Sequence, residues 1–81
     1  MIVEKIRKVL QEHGRLSRDA STLGEEADLY QAGMTSHASV NVMLALEAEL
    51  DIEFPDHMLR RGVFESIDAM HAAISELTKG L

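Results

Sequence analysis

The chain has 81 residues, 46% of them hydrophobic and 4% aromatic, with one proline, no cysteine and a formal net charge of −6. A domain this small buries only roughly 60–65% of its unfolded surface, which leaves little room for a deep catalytic cavity. The composition favours a compact helical domain over a β-sandwich or a disordered tail. Without cysteine, disulfides and thiolate metal sites are excluded. No apolar run reaches the roughly 20 residues of a membrane span, and Met1-Ile2-Val3-Glu4-Lys5 lacks a signal-peptide core. One soluble cytoplasmic domain over residues 1–81 is the expectation.

Charge is segregated. Residues 1–18 hold five basic and two acidic side chains, whereas from Asp19 onward twelve acids face three bases, with no Lys or Arg between Asp19 and Asp56. That stretch would repel a phosphate backbone, which argues against nucleic-acid binding. It suits a basic partner, chiefly through encounter rate, or serves simply as solvated surface that keeps the protein soluble.

In chain order, Ile2, Val3, Ile6, Val9 and Leu10 have the spacing of an amphipathic helix, which Gly14 ends. Residues 14–35 form a long first loop, of a length that is usually functional or has short structure of its own. Leu16, Leu23, Leu29 and Tyr30 pin it to the core, and Glu25 to Tyr30 are suited to a helical turn. A second helix runs from about Ser36 to Leu50, with Gly33 free to take an unusual backbone conformation before it and Thr35 or Ser36 as its cap. Pro55 then breaks the chain, Asp56 caps a short helix through Arg61, and Gly62 closes it. A last helix starts near Ser66, carries Ile67, Met70, Ile74 and Leu77, and ends at Lys79 and Gly80. The fold class is all-α, a bundle of three main helices and one short helix, in effect a four-helix bundle.

The second helix is apolar on two sides. At about 100° per residue, Ser39, Val42, Met43, Leu46 and Leu50 make the core stripe. His37, Val40 and Leu44 fall roughly opposite, flanked by Asn41, Glu47 and Ala48, where a surface helix normally carries polar residues. Val40 and Leu44 are either a docking strip below Ser36 or a patch covered by another element such as the long loop. Ser36 itself sits where a helix presents free amides and the positive end of its dipole, a place that stabilises an attached phosphoryl group. The residues alone lead to a modifiable serine at a helix start, or to a plain cap.

Gly33-Met34-Thr35-Ser36, then Val40, Met43-Leu44-Ala45-Leu46-Glu47 and Asp51-Ile52-Glu53-Phe54-Pro55-Asp56 resemble the acyl carrier and peptidyl carrier protein family over roughly residues 23–77. The resemblance implies that a phosphopantetheinyl transferase, assisted by Mg²⁺, moves 4'-phosphopantetheine from coenzyme A onto Ser36, making the chain a phosphoprotein. The distal thiol then holds cargo as a thioester. It implies no catalysis by the chain itself, only the concentrating effect of a tether. Thr35 and His37 would flank the attachment point, and Val40, Asn41, Leu44 and Glu47 would meet partners.

The family's usual Asp-Ser-Leu is replaced by Thr35-Ser36-His37, and Ala38 and Asn41 stand where fatty-acid carriers have acids facing their enzymes. The stretch from Asp28 to Glu47 looks closer to free-standing bacterial aminoacyl carriers, which are loaded with ATP by ligases resembling aminoacyl-tRNA synthetases and pass cargo to an acyltransferase. A monomer is expected. The alternatives are a specialised acyl carrier for a fatty-acid, polyketide or other lipid pathway, and a cofactor-free helical interaction module.

Other chemistry finds little support in the residues. His13, His37, His57 and His71 lack close i, i+4 pairing and cysteine partners for zinc. Ser36 and His37, adjacent on a helix, diverge by about 100° and make a poor nucleophile–base pair. Glu47, Glu49, Asp51 and Glu53 lack the spacing and glycine of a calcium loop.

Overall fold

The computed structural model describes residues 2–79. The apolar spacing of the first segment folds as α1 (Ile2–His13), whose Ile6, Val9 and Leu10 are buried. Gly14 closes it, its amide donating to the Leu10 carbonyl at 2.8 Å. A Cβ on Gly14 would lie 2.8 Å from that same oxygen, so only glycine fits without a shift.

The long first loop, residues 14–35, is held down by polar contacts rather than by leucines alone. Arg7 Nη1 donates to the carbonyls of Ala20 (2.8 Å) and Leu23 (2.7 Å), and Gln11 Oε1 accepts from the Ala20 amide at 2.9 Å. These bonds hold a 3₁₀ turn (Ala20–Thr22) against α1. Asp19 caps that turn. The Ser21 amide and then its hydroxyl hold the Asp19 carboxyl below its ordinary value of 3.8. Further on, the Leu29 amide reaches the Glu65 carbonyl (2.7 Å) and the Asp68 amide reaches the Glu25 carbonyl (2.8 Å), tying the loop to the start of the last helix. The helical turn expected at Glu25 to Tyr30 is a run of single turns continuing to Gly33. Gly33 adopts φ +112°, with the Ser17 backbone pressed against it, a conformation that suits glycine.

α2 (Ser36–Leu50) begins and ends where the sequence predicts. Its C-terminus is set before Pro55, by Asp51 in the left-handed conformation with its amide on the Glu47 carbonyl. Val42 and Leu46 are fully buried and Ser39 is nearly so, while Met43 and Leu50 are half-buried. Ala38, placed by the sequence reading on the partner-facing side, is instead 1% exposed and belongs to the core. At about 100° per residue it sits one turn before Val42, on the same stripe.

The expected short helix from Asp56 to Arg61 does not form. Two 3₁₀ turns replace it, Asp56–Met58 and Arg61–Val63, separated by Arg60 in extended conformation. Pro55, not Asp56, precedes the first turn, and no side chain caps it. Nucleating a helix costs more than so few hydrogen bonds return. The described residues therefore hold three α-helices and no strand, so "four-helix bundle" is corrected to a three-helix fold with 3₁₀ turns.

α3 (Ile67–Thr78) is capped by Ser66, whose hydroxyl accepts from the Ala69 amide at 3.0 Å. It buries Ile67, Met70 and Ile74, and the expected stop at Gly80 lies outside the described residues. Phe54 and Phe64 meet edge to face at 5.4 Å, closing the second loop, residues 51–66, over the core.

Candidate functional site

Two adjacent hydroxyls open α2, and the fold gives them different tasks. Thr35 is the N-cap, its Oγ1 accepting from the Ala38 amide at 3.0 Å. Ser36 is the first helical residue and is exposed. Its hydroxyl makes no hydrogen bond among the described residues, whereas its carbonyl accepts from Ser39 Oγ at 2.7 Å, which steadies the first turn. The first amides of a helix have no intrahelical acceptor, and α2 has no acidic residue in its first turn. The positive end of this helix is thus unneutralised by its own side chains, and an anion on Ser36 Oγ would be favoured there.

From Ser36 a cleft of about 330 Å³ extends between α2 and the second loop. It is lined by Ser36, Ser39, Val40 and Met43 of α2, by Tyr30 of the first loop, and by Leu59, Arg60, Arg61 and Phe64 of the second. The Arg61 guanidinium stacks 3.7 Å over the Tyr30 ring, and the Tyr30 hydroxyl donates to the Arg61 carbonyl at 3.5 Å. The lining combines two guanidinium groups with apolar side chains, a donor set that fits the phosphodiester and amphipathic tail of a phosphopantetheine group.

The other residues singled out from the sequence fall in three places. Val40 and Leu44 are 49% and 52% exposed, so no element covers them. Val40 lines the Ser36 cleft, while Leu44 and the half-buried Asn41 line a shallower groove against α1, beside Glu12, His13 and Glu49. Glu47 is half-buried and turned to the second loop, where its Oε2 accepts from the Phe54 amide at 2.8 Å. His37 is exposed beside Ser36. No three His, Asp or Glu side chains among the described residues are grouped to hold a metal ion.

Leu59, Arg60, Arg61, Tyr30 and Phe64 were not foreseen as site residues. Leu59 is the third large exposed hydrophobic side chain, beside Val40 and Leu44. One signal for the pair Arg60-Arg61 was present, since no other Lys or Arg occurs from Asp19 to Thr78. Their nearness to Ser36 is a product of tertiary folding and has no local signature.

Comparison with known proteins agrees with this geometry. The chain is 44% identical over 75 residues to an aminoacyl carrier protein of Agrobacterium fabrum, covering 93% of this chain and 90% of that one. It superposes with a TM-score of 0.91 and 42% identity, over 94% of this chain and 99% of the other, on a chain in a crystal structure of an engineered Bradyrhizobium japonicum glycine:[carrier protein] ligase complexed with carrier protein from Agrobacterium tumefaciens and ATP. A second match, with a TM-score of 0.76 and 26% identity over 89% of this chain and 96% of the other, comes from the Bradyrhizobium japonicum ligase complexed with glycylated carrier protein. The family described as "phosphopantetheine attachment site" matches residues 2–74, and with these relatives it establishes that the chain belongs to the phosphopantetheine-bearing carrier proteins, among the aminoacyl carriers.

Proposed function

We propose that Ser36 is the attachment point of 4'-phosphopantetheine and that the chain holds a small aminoacyl group as a thioester on that arm. The chain is a carrier, not a catalyst, and its covalent group is 4'-phosphopantetheine. The observation that carries the assignment to Ser36 is the exposed, unengaged hydroxyl, left free because Thr35 performs the capping. When bound, the group supplies a mobile thiol that accepts an activated acyl group. The chain's own part is to present Ser36 Oγ to a phosphopantetheinyl transferase. The Oγ–P bond would form as the pyrophosphate P–O bond of coenzyme A breaks, with adenosine 3',5'-bisphosphate leaving and the serine proton passing to a base of the transferase.

An amino acid as cargo, and its loading by a stand-alone ATP-dependent ligase, rest on the relatives, one named as an aminoacyl carrier and others bound to a glycine:[carrier protein] ligase. Val40, Leu44 and Leu59 supply the exposed apolar contacts through which such a ligase and a downstream acyltransferase would hold a monomeric carrier in the cytoplasm. A lipid-pathway acyl carrier is the second reading, favoured by the apolar lining of the cleft.

Intact mass tests the site. Incubation with coenzyme A, Mg²⁺ and a broad transferase should add one arm to the native chain and none to Ser36→Ala, with both proteins equally helical. A native chain that gains nothing removes the proposal and leaves a cofactor-free interaction module. Loading of the modified chain by amino acid ligases with ATP and a panel of amino and fatty acids then identifies the cargo. A strong preference for long acyl chains would replace the aminoacyl reading.

A further inference from the structure

From Asp19 to Thr78 the chain has twelve acidic residues and only two strong cations, Arg60 and Arg61. In so acidic a stretch an arginine would ordinarily pair with one of the chain's own carboxylates. These two do not. Among the described residues the only ion pairs within 4.0 Å run from Lys5 and Lys8 to Glu49, on the side of α2 that meets α1. Both arginines are exposed, and both line the cleft that begins at Ser36.

Their placement is also specific. Arg60 is extended between two 3₁₀ turns, with φ −130° and ψ 152°, and Arg61 opens the second turn. Arg61 is further steadied by stacking on Tyr30, which leaves the edge of its guanidinium, and the N–H groups on it, open to an acceptor. Two adjacent like charges without a counter-charge repel each other, and an anion between or beside them relieves that repulsion. Guanidinium groups are well matched to phosphate oxygens, through a planar fork of donors and weak hydration.

We infer that Arg60 and Arg61 form an anion seat for the phosphodiester that joins the arm to Ser36, holding the first stretch of the arm at the mouth of the cleft. This rests on the assignment of the arm to Ser36. The phosphodiester is singled out from other anions because Ser36 lines the same cleft, so a phosphate bonded to it is presented to the arginines at the high effective concentration of an intramolecular ligand. Free phosphate would have to reach the same place from dilute solution. The α2 N-terminus and the two arginines would both favour the phosphate's negative charge.

The test compares the unmodified and modified forms of the full chain, with modification verified by intact mass. Nitrogen-15 spectra of the arginine Nε–Hε groups and the phosphorus-31 line of the arm are recorded at low and high salt, for the native chain and for Arg60→Gln and the Arg60→Gln/Arg61→Gln pair. Attachment should shift the Nε–Hε signals of both arginines. High salt should reverse that shift, because an exposed ion pair is screened. The phosphorus line should move progressively toward that of the same phosphodiester in the modified chain unfolded in urea, from native chain to single to double variant. Unmodified chain titrated with inorganic phosphate should show a far weaker response over the same signals.

Arg60→Gln leaves the Tyr30 stack intact and so separates anion binding from any loosening of the fold, which thermal melts check independently. A verified mass gain with both arginine signals unmoved overturns the seat and leaves the Ser36 assignment standing. A chain that gains no mass overturns both. If the double variant leaves the phosphorus line unchanged yet slows loading by a ligase, the arginines serve an acidic partner surface, and the seat is again overturned.

Discussion

Leu44 and Leu46 are the same side chain two positions apart on α2, yet Leu44 is 52% exposed and Leu46 is 0% exposed. α1 has no comparable pair, because its fully buried residues Ile6, Val9 and Leu10 define one inward stripe with charged residues around them. Apolar residues on α1 thus report scaffold. On α2 they report two things, an inner face that joins the core and an outer face that remains in water beneath Ser36. Exposed leucine and valine add little to folding and, taken singly, are ordinary on a protein surface; their place on the helix that Ser36 opens is what makes Val40 and Leu44 docking candidates.

The contrast between the two faces can be broken experimentally. The largest effect on stability should come from the inner face. Leu46→Ala should cost about 2–5 kcal/mol, the range for truncating a fully buried leucine, read from urea unfolding. A cost well under 1 kcal/mol would mean that the inner stripe is not core. Next comes Thr35→Ala, which removes the helix cap and should cost about 1 kcal/mol while leaving transferase modification in place. If this variant could not be modified, Thr35 would have a role beyond capping.

Leu44→Glu should change stability by no more than about 0.5 kcal/mol, as surface substitutions do, yet slow transfer from a loading ligase. Unfolding of this variant would show Leu44 to be structural. The smallest effect concerns Asp19, whose folded-state carboxyl is held below its ordinary value by Ser21. A depressed carboxylate contributes stability that is present above the unfolded value and lost as pH falls through the folded one. Asp19→Asn should therefore narrow the stability difference between neutral pH and the acid region below about pH 4, measured by thermal melts across that range. An acid limb identical to that of the native chain would remove this contribution.

Much of the fold is legible in the sequence because its signals are local. The start of α2 at Ser36 and that of α3 near Ser66 follow from hydroxyls before apolar periodic runs, and the end of α2 at Leu50 from the last apolar residue of its core stripe. The two-sided apolar pattern of α2 also follows from spacing alone. What the sequence did not disclose depends on partners distant along the chain. Arg7 reaches carbonyls 13 and 16 residues away, and nothing near Arg7 distinguishes it from a solvated helix arginine. Ala38 is small enough to suit either a core or a surface position, and the approach of neighbouring elements put it in the core. The span from Asp56 to Arg61 contains helix-compatible residues, but Pro55 and the extended Arg60 leave room only for single turns. Of the candidate site, Ser36 and its apolar neighbours were readable. The half of the cleft contributed by Tyr30, Leu59, Arg60, Arg61 and Phe64 was not, because 20 or more residues separate its second-loop portion from Ser36.

The separate duties of Thr35 and Ser36 have a consequence for the order of events in the protein's life. Because the Thr35 hydroxyl accepts the hydrogen bond that caps α2, esterifying Ser36 as proposed removes nothing the helix needs in order to begin. A newly made chain can reach its final shape before any transferase finds it. The same shape would persist through removal and renewal of the arm, so folding does not have to wait on maturation or be repeated with it.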